Sequence, residues 1–456
     1  MRNESKLNRR TFLSVSAAAT GALAAAGLHG VPVEGQVRKL RNQNVIIILV
    51  DDMGYGDLSC HGNPVFKTPN IDKLYSESVR LTQFHSAPMC TPTRGQLLTG
   101  MDCLRNGARW VGTENTHLRS EIETLAEMFK SNAYMTAHFG KWHLGDNYPM
   151  RPRDRGFGES IWFPQQEIGT VNDYWGNDYF DDTFRHDEHL ATFKGYCTDV
   201  LFDQAMKWID SANAQEAFLE HNGFFCFIAT NAVHGPYYVD QAYRDRVGIE
   251  GLSKDIETYF AELVNLDDNM GRLDKFLEEK QLKEDTLLIF MSDNGATGGY
   301  HTYNAGMRGL KTQLWEGGHR VPCFIRSNRF CPFGPPRDVP ALTQVQDLFP
   351  TLVRMFNQTA SPRSCDGVSL FPLLTDNQEW PDRMLVVQFQ RRLDIPKGDA
   401  CVMWGPWRLL NAWDVDPNDP PERKRELEER RKKKEITLEL YNIEEDPHQD
   451  RNVYDK

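Results

Sequence analysis

The sequence predicts an α/β protein: a large, mostly parallel sheet sandwiched by helices, followed by a smaller C-terminal α+β domain carrying an antiparallel sheet. Three observations predict it. Short runs of β-branched and aromatic residues, apolar enough to be buried on both faces, recur from Asn44 as far as Ile325. Longer helical patterns separate them, the alternation expected of strands joined by crossover helices. Beyond Phe356 the pattern changes to short strand-like pieces punctuated by Pro and Gly.

Asn44–Val50 is the first buried run, and Phe224–Ala229, Thr286–Met291 and Val321–Ile325 repeat its character. Helical patterns fall at Ile122–Lys130, Thr198–Ala212 and Glu257–Lys280. Asp347–Phe356 reads as the last large helix, and the Pro- and Ser-containing stretch Gln358–Asp366 as a boundary. A main domain over 40–357 and a smaller one over 367–456 follow. In the latter, Met384–Phe389, Val402–Trp404 and Leu438–Ile443 read as strands of a small antiparallel sheet. Glu422–Glu435, with eight basic and five acidic residues around a single Leu, reads as a solvated helix or charged hairpin excursion. No internal repeat is present.

Composition is that of an ordinary globular enzyme, with 40% hydrophobic and 25% charged residues in 456. The net charge of −12 argues against general nucleic-acid binding. It leaves a small anionic substrate open, because local charge can oppose the global sign.

The N-terminus stands apart. Asn8-Arg9-Arg10-Thr11-Phe12-Leu13 precedes an alanine-rich run to Leu28, and residues 1–30 resemble a twin-arginine export signal with Asn8 where Ser or Thr is more usual. Ala22-Leu23-Ala24 and Ala24-Ala25-Ala26 offer cleavage sites, with an uncleaved anchor as the alternative. The expectation is a periplasmic or secreted protein whose membrane contact is confined to this signal. Of the nine cysteines, Cys226 reads as a core thiol, and Cys323 and Cys331 are near enough in sequence to pair.

Chemistry concentrates in a few motifs. Asp51 and Asp52 follow the first buried strand, and Asp293 and Asn294 follow the strand Thr286–Met291. Ligands gather beyond the carboxyl ends of parallel strands, so these four side chains are expected to converge. Three carboxylates and an amide make a hard, all-oxygen site suited to Ca²⁺ or Mg²⁺ rather than zinc. Residues 90–100, Cys-Thr-Pro-Thr-Arg-Gly-Gln-Leu-Leu-Thr-Gly, read as the start of a buried helix, with Pro92 tolerated in its first turn. Cys90 would then lie at a helix N-terminus, where free N–H groups favour an anion.

This Cys-x-Pro-x-Arg stretch resembles the signature of the type I sulfatases, members of the alkaline-phosphatase-like superfamily. The resemblance extends in order through Val50-Asp51-Asp52-Met53-Gly54, Gly140-Lys141-Trp142-His143, Ala232-Val233-His234-Gly235-Pro236, Ser292-Asp293-Asn294-Gly295, Gly309-Leu310-Lys311, Glu316-Gly317-Gly318 and Glu439-Leu440-Tyr441-Asn442-Ile443. It implies hydrolysis of an organic sulfate ester, on a small molecule or glycan. The nucleophile would be formylglycine, made from Cys90 by a maturation enzyme, and one hydroxyl of its hydrate attacks sulfur. It implies one divalent cation, usually calcium, held by Asp51, Asp52, Asp293, Asn294 and the modified Cys90. Lys141, His234 and Lys311 would contact sulfate, His143 would lie near the aldehyde hydrate, and Arg94 would orient it. His234 or Lys311 would protonate the leaving oxygen.

The pattern departs at one point. Some relatives carry a sulfate-contacting serine shortly after a Gly-Phe resembling Gly156-Phe157, and Trp162-Phe163-Pro164-Gln165-Gln166 offers none. His186-Asp187-Glu188-His189 reads as part of a substrate-cleft loop rather than a second metal site. The aromatic segment Asp173–Phe180 is the candidate cleft wall, with a packed surface loop as the alternative. A phosphodiester or phosphonate monoester hydrolase on the same fold, or an inactive sulfated-glycan-binding protein, are the rival functions.

Overall fold

The computed structural model describes residues 43–455 except 112–116, 215–221, 330–332, 357–364, 376–379, 390–398, 412–418 and 434–437. The expected export signal, Cys331 and most of the expected boundary lie outside the described residues.

Ten strands form the main sheet: β1 (Asn44–Val50), β2 (Val79–His85), β3 (Met135–Lys141), β4 (Glu159–Phe163), β5 (Thr183–His186), β6 (His189–Thr192), β7 (Phe224–Ala229), β8 (Thr286–Ser292), β9 (Cys323–Arg326) and β10 (Arg337–Gln344). Their order is β10-β2-β9-β8-β1-β7-β3-β4-β5-β6. The five from β8 to β4 are parallel, and β9 runs against both its neighbours, as does β5.

β1 lies at the centre, and every one of its residues is buried. Alternation sorts its side chains between two cores. Ile46, Ile48 and Val50 pack with α1 (Pro69–Ser76), α4 (Cys197–Ala214) and α5 (Lys254–Glu279). Val45, Ile47 and Leu49 pack with α2 (Cys90–Thr99), α3 (Leu125–Ser131) and α6 (Leu348–Met355). Helices on both faces explain why these strands read as continuous apolar runs.

α3 starts later than the periodicity suggests because Thr124 caps it. Thr124 Oγ1 accepts from Glu127 N at 3.1 Å, and Glu127 Oε2 accepts from Thr124 N at 2.7 Å, a reciprocal capping box. β9 begins at Cys323, just after Pro322, which has no N–H to donate to a ladder. His186 ends β5 and His189 begins β6, with Asp187-Glu188 as the tight turn of this hairpin at the sheet edge.

The second sheet is antiparallel, in the order β11 (Met384–Phe389), β12 (Asp399–Trp404), β13 (Trp407–Asn411) and β14 (Leu438–Asn442). Leu385, Val387, Met403 and Tyr441 share a core with Met89, Leu314 and Trp315 of the larger unit. Buried Arg408 of β13 adds a contact from Nε to Glu316 Oε1 at 2.6 Å. The charged stretch is a helix over Pro421–Lys433. The eight described cysteines are free thiols.

Candidate active site

Four adjacent parallel strands end at one place. β8 leads into Asp293 and Asn294, β1 into Asp51 and Asp52, β7 into the turn carrying His234, and β3 ends on Lys141. α2 brings Cys90 at its first position and Arg94 one turn later, all ten of its residues being buried. Its N-cap, Met89, offers no side-chain acceptor, so the first-turn N–H groups have no capping side chain.

Two glycines permit this convergence. A Cβ on Gly140 would lie 1.9 Å from the carbonyl oxygen of Ala229, so only glycine lets β3 pair with β7 there. A Cβ on Gly295 would lie 1.8 Å from Gly317 O, and Gly295 N donates to Gly318 O at 3.0 Å. Ser-Asp-Asn-Gly and Glu-Gly-Gly are thus two sides of one close backbone contact. Asp52 and His143 adopt left-handed φ values of 62° and 58°. Such conformations are uncommon outside glycine and cluster at functional sites.

The site's charges interlock. Arg94 Nη2 reaches Asp293 Oδ2 at 2.9 Å and Asp51 Oδ1 at 3.7 Å, while its Nη1 donates to Lys141 O at 2.9 Å. Lys141 Nζ donates to Asp51 Oδ2 at 2.5 Å, and Lys311 Nζ to Asp52 Oδ2 at 2.8 Å. Asn294 Nδ2 donates to Asp52 Oδ1 at 2.8 Å, and Asp52 N to Asp293 Oδ1 at 3.1 Å. Three buried carboxylates therefore face three buried or nearly buried cations. Burial, followed by the neighbouring Asp293 charge, pushes the Asp51 carboxyl well above its ordinary range. Burial also acts to raise Asp52, but Lys311 and His234 outweigh it and hold Asp52 down at about 2.

The donor set fits a hard divalent cation. Oδ1 of Asp51 and Oδ1 of Asn294 are buried without a hydrogen-bond partner, and Asp51, Cys90 and Asp293 bring ligand atoms within 4.8 Å of one another. Unpartnered buried oxygens are costly unless something else satisfies them. Asp52 joins Asp51 and His234 in an overlapping group.

The histidines surround the same point. His234 Nδ1 donates to Gly235 O at 2.6 Å, which turns Nε2 toward Asp52 Oδ2, 3.7 Å away. Burial holds the His234 imidazole down at about 3 and that of His143 well below its usual value, so both are neutral. Both ring nitrogens of His143 lack partners. Asp51, Asp52, Cys90, Arg94, Lys141, His143, His234, Asp293, Asn294 and Lys311 are therefore brought together here, whereas His186 and His189 lie in the β5–β6 hairpin.

Glu167 was missed. Its Oε2 lies 3.5 Å from His234 Nδ1, one residue beyond the segment that lacks the expected serine. Nothing in its local sequence marks it. The amide of Asn231, beside His234, is buried within reach of the Tyr179 hydroxyl, and this too carried no signal. In the aromatic segment Tyr179 is buried, packing edge-on to Tyr238 at 5.2 Å, whereas Trp175 is 96% exposed. A further buried group, His85, Glu316 and His319, is committed elsewhere. Glu316 pairs with Arg408, and His319 Nε2 meets Leu314 O at 3.0 Å, joining the two sheets.

Comparison with known proteins points one way. The family model described as Sulfatase matches residues 43–358. N-acetylgalactosamine-6-sulfatase of Canis lupus familiaris is 29% identical over 440 residues, covering 87% of this chain and 78% of that protein. Human arylsulfatase G is 30% identical over 410 residues, covering 76% and 72%. Among solved structures, Ps i-CgsB in complex with k-i-k-neocarrahexaose superposes with a TM-score of 0.76 at 23% identity, over 91% of this chain and 89% of that one. The phosphonate monoester hydrolase of Agrobacterium radiobacter gives 0.63 at 19%, over 90% and 91%. These two structures show the fold.

Proposed function

We infer, from the premise that this chain belongs to the sulfatase family and hydrolyses sulfate esters, that its substrate is a sulfated carbohydrate and its nucleophile is residue 90 oxidised to formylglycine. The observation that carries this reading is the placement of Cys90. It lies buried at the first turn of α2, its Sγ within 4.8 Å of carboxylate oxygens of Asp51 and Asp293. Burial pushes the thiol's pKa up, so an unmodified Cys90 would stay protonated and unreactive. The carbohydrate assignment is supported by the relative named N-acetylgalactosamine-6-sulfatase.

Formylglycine, once hydrated, supplies two geminal hydroxyls, one to attack sulfur and one to expel sulfate. Asp51, Asp52, Asp293, Asn294 and residue 90 would hold a divalent ion, proposed to be calcium, which supplies Lewis-acid polarisation of the sulfate oxygens. Arg94 keeps Asp293 and Asp51 in place. Lys141 and Lys311 set positive charge against the equatorial oxygens, an electrostatic contribution aimed at the transition state. Lys311 also delivers the proton to the leaving oxygen: burial opposes its charge, but Asp52 more than compensates and keeps it protonated. A bound sulfate would supply the counter-charge that protonates His234, whose Nε2–H then donates to a sulfate oxygen while Nδ1–H stays on Gly235 O. Neutral His143 takes the proton from the residue-90 hydroxyl as sulfate departs.

The test is to express the chain with and without a formylglycine-generating enzyme, weigh the peptide spanning residue 90, and assay sulfated oligosaccharides. Aldehyde mass and turnover should rise together, and Cys90→Ala should remove both. Full turnover by unmodified protein would overturn the nucleophile. An aryl phosphodiester outrunning every sulfate would favour the phosphodiesterase alternative, and glycan binding without turnover the inactive one. A periplasmic or secreted location is proposed on the Arg9-Arg10 signal alone.

A further inference from the structure

Glu167 is an oddity at an anion-binding site: a carboxylate within reach of the groups that should hold sulfate. It follows β4 in a loop fixed to the Lys141–His143 turn, with Trp142 N donating to Phe163 O and His143 N to Pro164 O, both at 3.1 Å. The side chain is 22% exposed, so part of it meets solvent. Its nearest titratable neighbour, His234 Nδ1 at 3.5 Å, already donates to Gly235 O at 2.6 Å. Among the described residues the Glu167 carboxylate accepts no closer hydrogen bond. Two acceptor oxygens thus stand largely unused beside the reaction centre.

Facing the sulfate, such a group would only repel it. Facing the alcohol, it would accept a hydrogen bond. Partial burial raises the Glu167 carboxyl, and Lys141 and Lys311 offset this only in part; with two cations already near it, a neutral O–H donor suits it better than a further cation. We propose that Glu167 is a specificity-determining residue: its carboxylate accepts a hydrogen bond from a hydroxyl on the carbon skeleton next to the sulfate ester, selecting sulfates of polyhydroxylated sugars over hydroxyl-free ones. The proposal rests on the sulfatase reading and narrows its substrate class.

The experiment measures kcat/KM for the mature, metal-loaded enzyme and its Glu167→Ala and Glu167→Gln variants. The substrates are a panel of hexose monosulfates, the deoxy analogue of the best one lacking the neighbouring hydroxyl, and an aryl sulfate. The preference for the hydroxylated sugar over its deoxy analogue should fall about 10- to 100-fold in Glu167→Ala, the range for a hydrogen bond to a charged group. Glu167→Gln, which keeps one acceptor oxygen, should recover part of that preference. A parallel loss on sugar, deoxy sugar and aryl sulfate would overturn the proposal, because Glu167 would then act only by positioning His234. An unchanged preference in both variants would overturn it too. Inactivity of the unmutated mature enzyme on every sulfate ester would instead refute the sulfatase reading, a result distinguishable because it precedes any variant.

Discussion

Replacing Arg94 by Met tests the charge balance at the heart of the site. The guanidinium is 1% exposed and contacts Asp293 at 2.9 Å, Asp51 at 3.7 Å and the Lys141 carbonyl at 2.9 Å. Met roughly matches the aliphatic reach and removes the charge, so the lost terms are electrostatic and hydrogen-bonding rather than a large cavity. Three buried carboxylates would then face two cations. Removing one partner of a buried ion pair costs about 3–5 kcal/mol, because the other is left uncompensated. In chelator, urea unfolding followed by tryptophan fluorescence should show Arg94→Met less stable by about that amount.

Calcium should act in the opposite sense on this variant. An ion bound only by the folded state stabilises it by about 4 kcal/mol at a thousandfold excess over Kd. Removing the cation that repels the ion should tighten binding, so the calcium-dependent gain should be larger in Arg94→Met than in the parent. Turnover should still fall, by about 10²- to 10³-fold, the usual loss for one preorganised electrostatic group. A variant as stable as the parent in chelator, or one gaining no more from calcium, would refute the charge-balance reasoning.

Exhaustive chelation should abolish sulfatase activity and Ca²⁺ should restore it, whereas restoration by zinc alone would contradict the oxygen donor set. Asp57, outside the metal-binding group, is pushed up to about 7 by burial, against the pull of its bonds from Tyr259 and Gly54. Its folded pKa is raised, so its contribution to stability is complete below about pH 4 and is lost as pH rises through about 7, at up to about 1.4 kcal/mol per pH unit. Asp57→Asn, which keeps an acceptor for Gly54 N, should flatten the decline of the urea midpoint between pH 4 and 7; an identical slope in both proteins would refute it. If the proposed Arg9-Arg10 signal directs twin-arginine export, which carries folded proteins, precursor retained by Arg9→Lys/Arg10→Lys should already carry the residue-90 aldehyde, because Cys90 is buried once folded. Thiol in the retained precursor, with aldehyde only in exported protein, would overturn that order.

The central strands were legible because burial on both faces leaves an unbroken apolar run, as in β1 and β8. β3 was not: Thr136, His138 and Lys141 interrupt its pattern, yet all three are buried, since hydrogen bonds and the Asp51 carboxylate meet them across the fold. β2 and β10, at or near one edge of the sheet, mix buried positions with half-buried ones, and in β10 with exposed ones too, and so lose the signal.

The site divides along the same line. Strand-end placement marked Asp51, Asp52, Asp293 and Asn294 as a converging hard-cation set, and the resemblance of the surrounding motifs to those of sulfatases added Cys90, Arg94, Lys141, His143, His234 and Lys311. Only the tertiary structure decided how their charges are shared, because Arg94 answering Asp293 and Lys311 answering Asp52 are contacts across 199 and 259 residues of chain. Glu167 belongs wholly to that second category. A glutamate after Gln165-Gln166 has no local pattern to mark it, and its proximity to His234 arises only because β4 ends two strands away from β7 in the sheet. Covalent order specifies the reacting groups; the pairing of strand ends specifies what surrounds them.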